Sequence, residues 1–172
     1  MKTKYRVLFA LLPVVLIFDQ ITKLAVASKF RFSESIPIVE GIFNFTYVRN
    51  TGAAFGLLHN AQESFRVPFF VVVPLISLIA IGYVFRRLAD SDVRLSSALS
   101  CVVGGALGNL IDRLHWGYVI DFLDFHWKYD YHFPAFNIAD MAICTGVVAL
   151  MLDLLQNKHE NPSEDANVSA AL

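Results

Sequence analysis

The sequence predicts a membrane α-helical protein, with four transmembrane helices, a small β-sheet and an interfacial aromatic-rich segment on the outer face. Three observations predict it. First, 56% of the 172 residues are hydrophobic and only 17% are charged, with a mean hydropathy of +0.53, a balance unusual for a water-soluble globule. Second, residues 67–85 and 95–111 are uncharged runs. Each is close to the length that a helix rising about 1.5 Å per residue needs to cross a hydrocarbon core of about 30 Å. Third, positive charge is concentrated in a few places, which assigns an inner and an outer side.

The first span is expected at about 7–27. Lys2, Lys4 and Arg6 precede an apolar run, and Ala25, Val26 and Ala27 follow it, a pattern shared with cleavable secretory signal peptides. Against cleavage stands Asp19 four residues before Lys23, an order that favours an ion pair on one helical face and so a retained helix. The connection that follows, 28–66, alternates Ile36, Ile38, Phe43, Phe45 and Tyr47 with glycines as punctuation, which predicts a small sheet. The second span is expected at 67–85 and the third at 95–112, joined by a short link carrying Arg86, Arg87 and Arg94. The third has two small-residue stripes, Ser97, Cys101, Gly105 and Ser100, Gly104, Gly108, suited to close helix packing.

The second long connection, 114–136, is rich in Trp, Tyr and Phe from Trp116 to Phe136, a composition that fits the headgroup level. The fourth span is expected at 138–156, making residues 1–156 a single four-span domain. Residues 157–172 are polar and aperiodic and read as a disordered tail. No internal repeat is seen. Basic residues before the first span and between the second and third place both termini inside and the two long connections outside.

Fourteen Lys and Arg against fifteen Asp and Glu leave a formal charge of −1, with no basic excess for a nucleic-acid backbone. Cys101 and Cys144 lie in apolar stretches without metal spacing, and His59, His115, His126, His132 and His159 match no ligand pattern, so no cofactor or metal is expected. No Ser or Cys nucleophile has a recognisable His partner. Carboxylates remain.

Counting turns along each span gathers them on one side. Asp19 and Lys23 fall in the outer half of the first helix, Asn109, Asp112 and Arg113 at the outer end of the third, and Asn137 and Asp140 at the outer start of the fourth, with Asp121 and Asp124 nearby. Charged groups in spans cost a few kcal/mol or more and usually mark function. Two carboxyls held close share a proton, so that one can activate water while the other polarises an amide carbonyl. Asp140 with one of Asp112, Asp121 or Asp124 is the shortlist for such a pair. Asn137 and Asp140 also have the spacing of an N-cap and its third helical residue, a purely structural use. A transporter would need polar groups reaching both faces, and a scaffold would need no paired carboxylates.

Five blocks carry a resemblance: Asp19-Gln20-Ile21-Thr22-Lys23; Val48-Arg49-Asn50-Thr51-Gly52-Ala53-Ala54-Phe55; Gly104-Gly105-Ala106-Leu107-Gly108-Asn109-Leu110-Ile111-Asp112-Arg113; Val119-Ile120-Asp121-Phe122; and Phe133-Pro134-Ala135-Phe136-Asn137-Ile138-Ala139-Asp140. In this order they resemble the lipoprotein signal peptidases, the bacterial signal peptidase II family. The resemblance implies an aspartyl endopeptidase of the bacterial (inner) membrane with its site near the periplasmic face. It would use no cofactor and cut diacylglyceryl-modified prolipoproteins just before the lipidated cysteine; apart from substrate and membrane lipid no partner is indicated, and a monomer is expected. It implies Asp121 and Asp140 as the catalytic pair. Asn50, Gly52, Asn109, Arg113 and Asn137 would position substrate or the pair, and Asp19, Lys23, Asp112 and Ala139 would support the site.

Overall fold

A computed structural model of the chain describes residues 1–52, 62–127 and 131–160. Four helices carry the architecture: α1 (Thr3–Lys29), α2 (Glu63–Arg87), α3 (Val93–Trp116) and α4 (Ile138–Glu160). All four are long and apolar enough to cross a membrane. The first extends beyond its uncharged run because the helix continues through Lys4, Asp19 and Lys23, whose charged groups find partners within the bundle.

The helix ends follow from local chemistry. The Asp92 carboxylate caps α3 by accepting from the Leu95 N–H at 3.0 Å. Gly117, at φ 76°, closes its other end in the left-handed conformation that glycine adopts without strain. Asn137 and Asp140 start α4 reciprocally: the Asp140 N–H donates to Asn137 Oδ1 at 3.0 Å, and the Asn137 N–H donates to Asp140 Oδ2 at 3.2 Å. At the other end of the bundle, Lys4 is buried and its ammonium caps α2, donating to the carbonyls of Arg86 (3.0 Å) and Leu88 (2.7 Å).

The glycines of α3 set the packing. A Cβ at Gly105 would land on the Ala139 carbonyl oxygen, and one at Gly108 would collide with the Asp19 carboxylate. Gly104 approaches Val15 and Leu12 in the same way. Thus α3 lies tightly between α1 and α4, while none of the apolar window of α2 is buried.

The two long connections build one antiparallel sheet, ordered β1 (Ser35–Val39), β2 (Phe43–Asn50), β3 (Val119–Trp127), β4 (Tyr131–His132). The first two strands lie where alternation predicts them. The aromatic-rich segment also contributes, as β3 and the two-residue β4, while Trp116, Phe125, Trp127 and Phe133 remain exposed. Val119 through Phe122 are all buried, so this strand carries a continuous buried run in place of the period-two pattern. Val26, Tyr47, Ile120 and Phe122 form the core that ties the sheet to α1. The Phe136 carbonyl accepts from Phe122 and Leu123, and its N–H donates to Leu123, which lays the start of α4 alongside β3. Motif residues Ala53, Ala54 and Phe55 and most of the expected tail lie outside the described residues.

Candidate active site

The predicted polar residues converge where the C-terminal halves of α1 and α3 and the N-terminal end of α4 meet β2 and β3. Lys23 stands at the centre of the inner part. Its buried ammonium lies 2.8 Å from Asp19 Oδ2 and 3.0 Å from Asp112 Oδ2, and donates to Asn109 Oδ1 at 2.8 Å. A buried charge is tolerated only when paired and hydrogen-bonded, and all three members are tied down. Asp19 Oδ1 also accepts from the Ala139 N–H at 2.9 Å, and Asp112 Oδ2 from the Ile120 N–H at 3.1 Å. Helices α1 and α3 are thereby fixed to the start of α4 and to β3.

The outer part holds the two leading carboxylates. Asn137 is fully buried and donates to Asp121 Oδ1 at 2.6 Å, to the Ile120 carbonyl at 3.2 Å and to Asn109 Oδ1 at 3.2 Å. Asp121 Oδ2 accepts from Asn50 at 2.9 Å, while Asp140 Oδ1 accepts from Asn109 at 2.8 Å. Asn50 is held in turn by the Gly52 N–H at 3.0 Å. Arg113 donates to the Gly52 carbonyl at 3.3 Å, and its guanidinium lies 5.0 Å from the centre of the Phe70 ring on α2.

Asp121 is buried, and that burial, with the negative charge of Asp140 second, pushes its carboxyl up to about 7; the bonds from Asn50 and Asn137 act the other way. Asp140 sits in the first turn of α4, half-buried, where its carboxylate accepts from Asn109 and from the Asn137 N–H. Two acids with environments this different can divide the roles of proton donor and base.

A cavity of about 430 Å³ opens beside them, with Asn50, Asn109, Arg113 and Asp140 on its polar side and Val119, Phe136, Met141 and Ile143 among its apolar lining. Asp140 lines this cavity directly, and so does Asn50, whose amide donates to Asp121 just behind it. A groove of about 550 Å³ at the opposite ends of α3 and α4, lined by Arg94, Ser97 and Asp153, contains none of these groups. Among the described residues, no three His, Cys, Asp or Glu side chains gather to hold a metal ion.

All of the singled-out positions from Asp19 to Asp140 enter this network, with one exception. Asp124 lies three residues along β3 from Asp121, accepts from Asn44 at 3.1 Å and stands 3.9 Å from His126 Nδ1. The network also includes Gln20, whose amide donates to Asp112 at 3.0 Å and to the Gly108 carbonyl at 3.2 Å. Its place between Asp19 and Lys23 in the first block was the available signal. Phe70 had none, since one aromatic in an apolar span is indistinguishable from its neighbours.

Comparison with known proteins agrees with this geometry. Residues 11–156 match the family model described as signal peptidase (SPase) II. A lipoprotein signal peptidase of Geobacter metallireducens is 44% identical over 165 residues, spanning 96% of this chain and 100% of the relative. That of Geobacter sulfurreducens is 46% identical over 158 residues, spanning 92% and 97%. A solved structure described as a bacterial membrane enzyme superposes with a TM-score of 0.78 at 35% identity, covering 91% of this chain and 90% of its own. A family model matched across most of the chain, with full-length relatives and the same fold, leads to one conclusion: the chain belongs to the signal peptidase II family.

Proposed function

We propose that the protein removes signal peptides from diacylglyceryl-modified prolipoproteins, cutting before the lipidated cysteine, with Asp121 and Asp140 as an aspartyl pair. The observation that carries this reading is the position of Asn137. It donates to Asp121 through its side chain and exchanges two hydrogen bonds with Asp140, binding both carboxyls into one rigid unit.

The chemistry follows from the two environments. Asp140, which lines the cavity, takes a proton from a water molecule, and the resulting hydroxide attacks the scissile carbonyl carbon. Asp121, holding its proton, donates it to the carbonyl oxygen as that oxygen gains charge. Collapse of the tetrahedral intermediate breaks the C–N bond, with Asp140 passing its proton to the cysteine amine and Asp121 recovering its own from the hydroxyl. Asn109 and Asn50 keep the carboxylates oriented, and Arg113, beside Asp140 in the cavity wall, supplies positive charge to the substrate backbone.

In this reading both termini and the Arg86–Arg94 link are cytoplasmic, and the site lies at the outer surface of the inner membrane, where a lipid-anchored cysteine presents its peptide bond. The apolar lining from Val119 to Cys144 accepts the hydrophobic part of the substrate. The test is cleavage of a prolipoprotein peptide by the purified chain. The lipidated peptide is cut before its cysteine with or without chelator, and the unlipidated peptide is cut far more slowly. Equal cleavage of both, or loss on chelation restored by zinc, refutes the proposal.

A further inference from the structure

Arg49 belongs to the second sequence block but takes no part in the network around Asp121. Successive residues on a strand face opposite ways, so the side chain of Asn50 reaches Asp121 while that of Arg49 lies on the other side of the sheet. There its guanidinium carbon lies 4.8 Å from the ring centre of Phe32, 5.0 Å from that of Tyr118 and 5.3 Å from that of Tyr47. Its Nε donates to the Tyr47 hydroxyl at 3.2 Å. Aromatic faces attract a cation without consuming its N–H donors. Arg49 is exposed, and among the described residues no acceptor engages its Nη1 or Nη2.

The height of this group is set by the helices. Phe32 follows closely on the end of α1 at Lys29, and Tyr118 on the end of α3 at Trp116. The guanidinium is therefore level with the outer ends of two membrane-crossing helices, where phospholipid headgroups lie. Lys29 and Arg31, at the same end of α1, add positive charge, while the acid Glu34 accepts from the Arg31 backbone N–H.

We propose that Arg49 is a binding site for the phosphodiester of an outer-leaflet phospholipid, its two terminal nitrogens clamping the phosphate oxygens while Phe32, Tyr47 and Tyr118 hold the guanidinium in place. A planar fork of donors fits a phosphate bidentately, and a side chain already immobilised by its rings loses less entropy on binding. Because Asn50 is the next residue, a lipid held here fixes the height of β2 beside the carboxylate pair.

The test uses the purified full chain in a phosphate-free maltoside detergent, titrated with dihexanoylphosphatidylglycerol and followed by native mass spectrometry. The wild type retains one lipid that Arg49→Gln binds roughly tenfold or more weakly, with Arg49→Lys intermediate because it keeps charge but loses the fork. Phe32→Leu, which leaves the charge in place, weakens the same lipid severalfold and decides the matter if Arg49→Gln does not fold. Unchanged retention by either variant, equal retention of a diacylglycerol lacking phosphate, or displacement of the lipid by inorganic phosphate each overturns the proposal.

Discussion

Asn109 accepts a hydrogen bond from the Lys23 ammonium at 2.8 Å through Oδ1, so its Nδ2 is turned toward Asp140, to which it donates at 2.8 Å. An ammonium only donates, so the amide cannot reverse without placing two donors face to face. The first helix thus dictates which way a side chain on the third presents itself to a carboxylate on the fourth.

Replacing Lys23 with Met removes that constraint and leaves Asp19 and Asp112 buried without their cation. Breaking a buried ion pair from one side costs about 3–5 kcal/mol. Thermal unfolding in detergent should show a loss of that order, and the added change Asp19→Asn should recover part of it. A melting temperature unmoved by Lys23→Met contradicts the pairing.

Gly108→Ala tests the same region by volume. The new methyl group meets the Asp19 carboxylate, which must leave its bonds to Lys23 and the Ala139 N–H. Overpacking costs about 1–3 kcal/mol, and turnover should fall because the start of α4 shifts with Ala139. By contrast, Gly82→Ala, where nothing lies within 4 Å of the added carbon, should leave turnover unchanged.

Asp121→Asn and Asp140→Asn each keep side-chain shape while removing proton exchange, so each should abolish turnover in a folded protein that still binds lipidated substrate. Asp124→Asn should stay within roughly tenfold of wild type, since this carboxylate faces Asn44 and His126 and acts on the pair only through screened electrostatics. An inactive Asp124→Asn beside an active Asp121→Asn reverses the assignment.

The raised Asp121 carboxyl gives pH signatures of defined sign. Asp121 holds its proton in the folded chain up to about 7, against 3.8 ordinarily, so between those values the folded state binds more protons than the unfolded. Its contribution to stability is complete below pH 4 and is lost as pH rises toward 7. Melting temperatures over that range should decline less in Asp121→Asn than in wild type. Turnover, which needs the Asp121 proton, should fall above about pH 7, and a rate still rising there contradicts its role as the acid.

Much of this was legible in the sequence because ionisable groups within apolar spans have few places to go. Counting turns from Asp19, Asn109 and Asp140 brought them to one level, and helix packing then made them neighbours. The Asn137 and Asp140 spacing left a structural cap and a chemical role as alternatives, and the geometry allows both, since the capping bonds hold the carboxylate in place. Strand β3 was hidden because Val119–Phe122 is buried on both faces and shows no alternation. The linkage of Arg113 to Phe70 was hidden because periodicity does not reveal which helix faces a neighbour.

The buried Lys4, whose ammonium closes the end of α2, changes how the first helix is understood. A basic start, an apolar stretch and a small-residue Ala25-Val26-Ala27 site describe a leader that a cell discards, and a leader is disposable because nothing else rests on it. Here α1 is fastened at one end by Lys4 and at the other by Asp19 and Lys23, and Val26 is packed in the sheet core. Cleavage after Ala27 would take away the cation beneath the carboxylates and the cap of another helix together. A segment patterned like a signal peptide thus serves as the keel of a signal peptidase II family member: the end of α2, the pocket of buried charge and one side of the sheet core all rest on it.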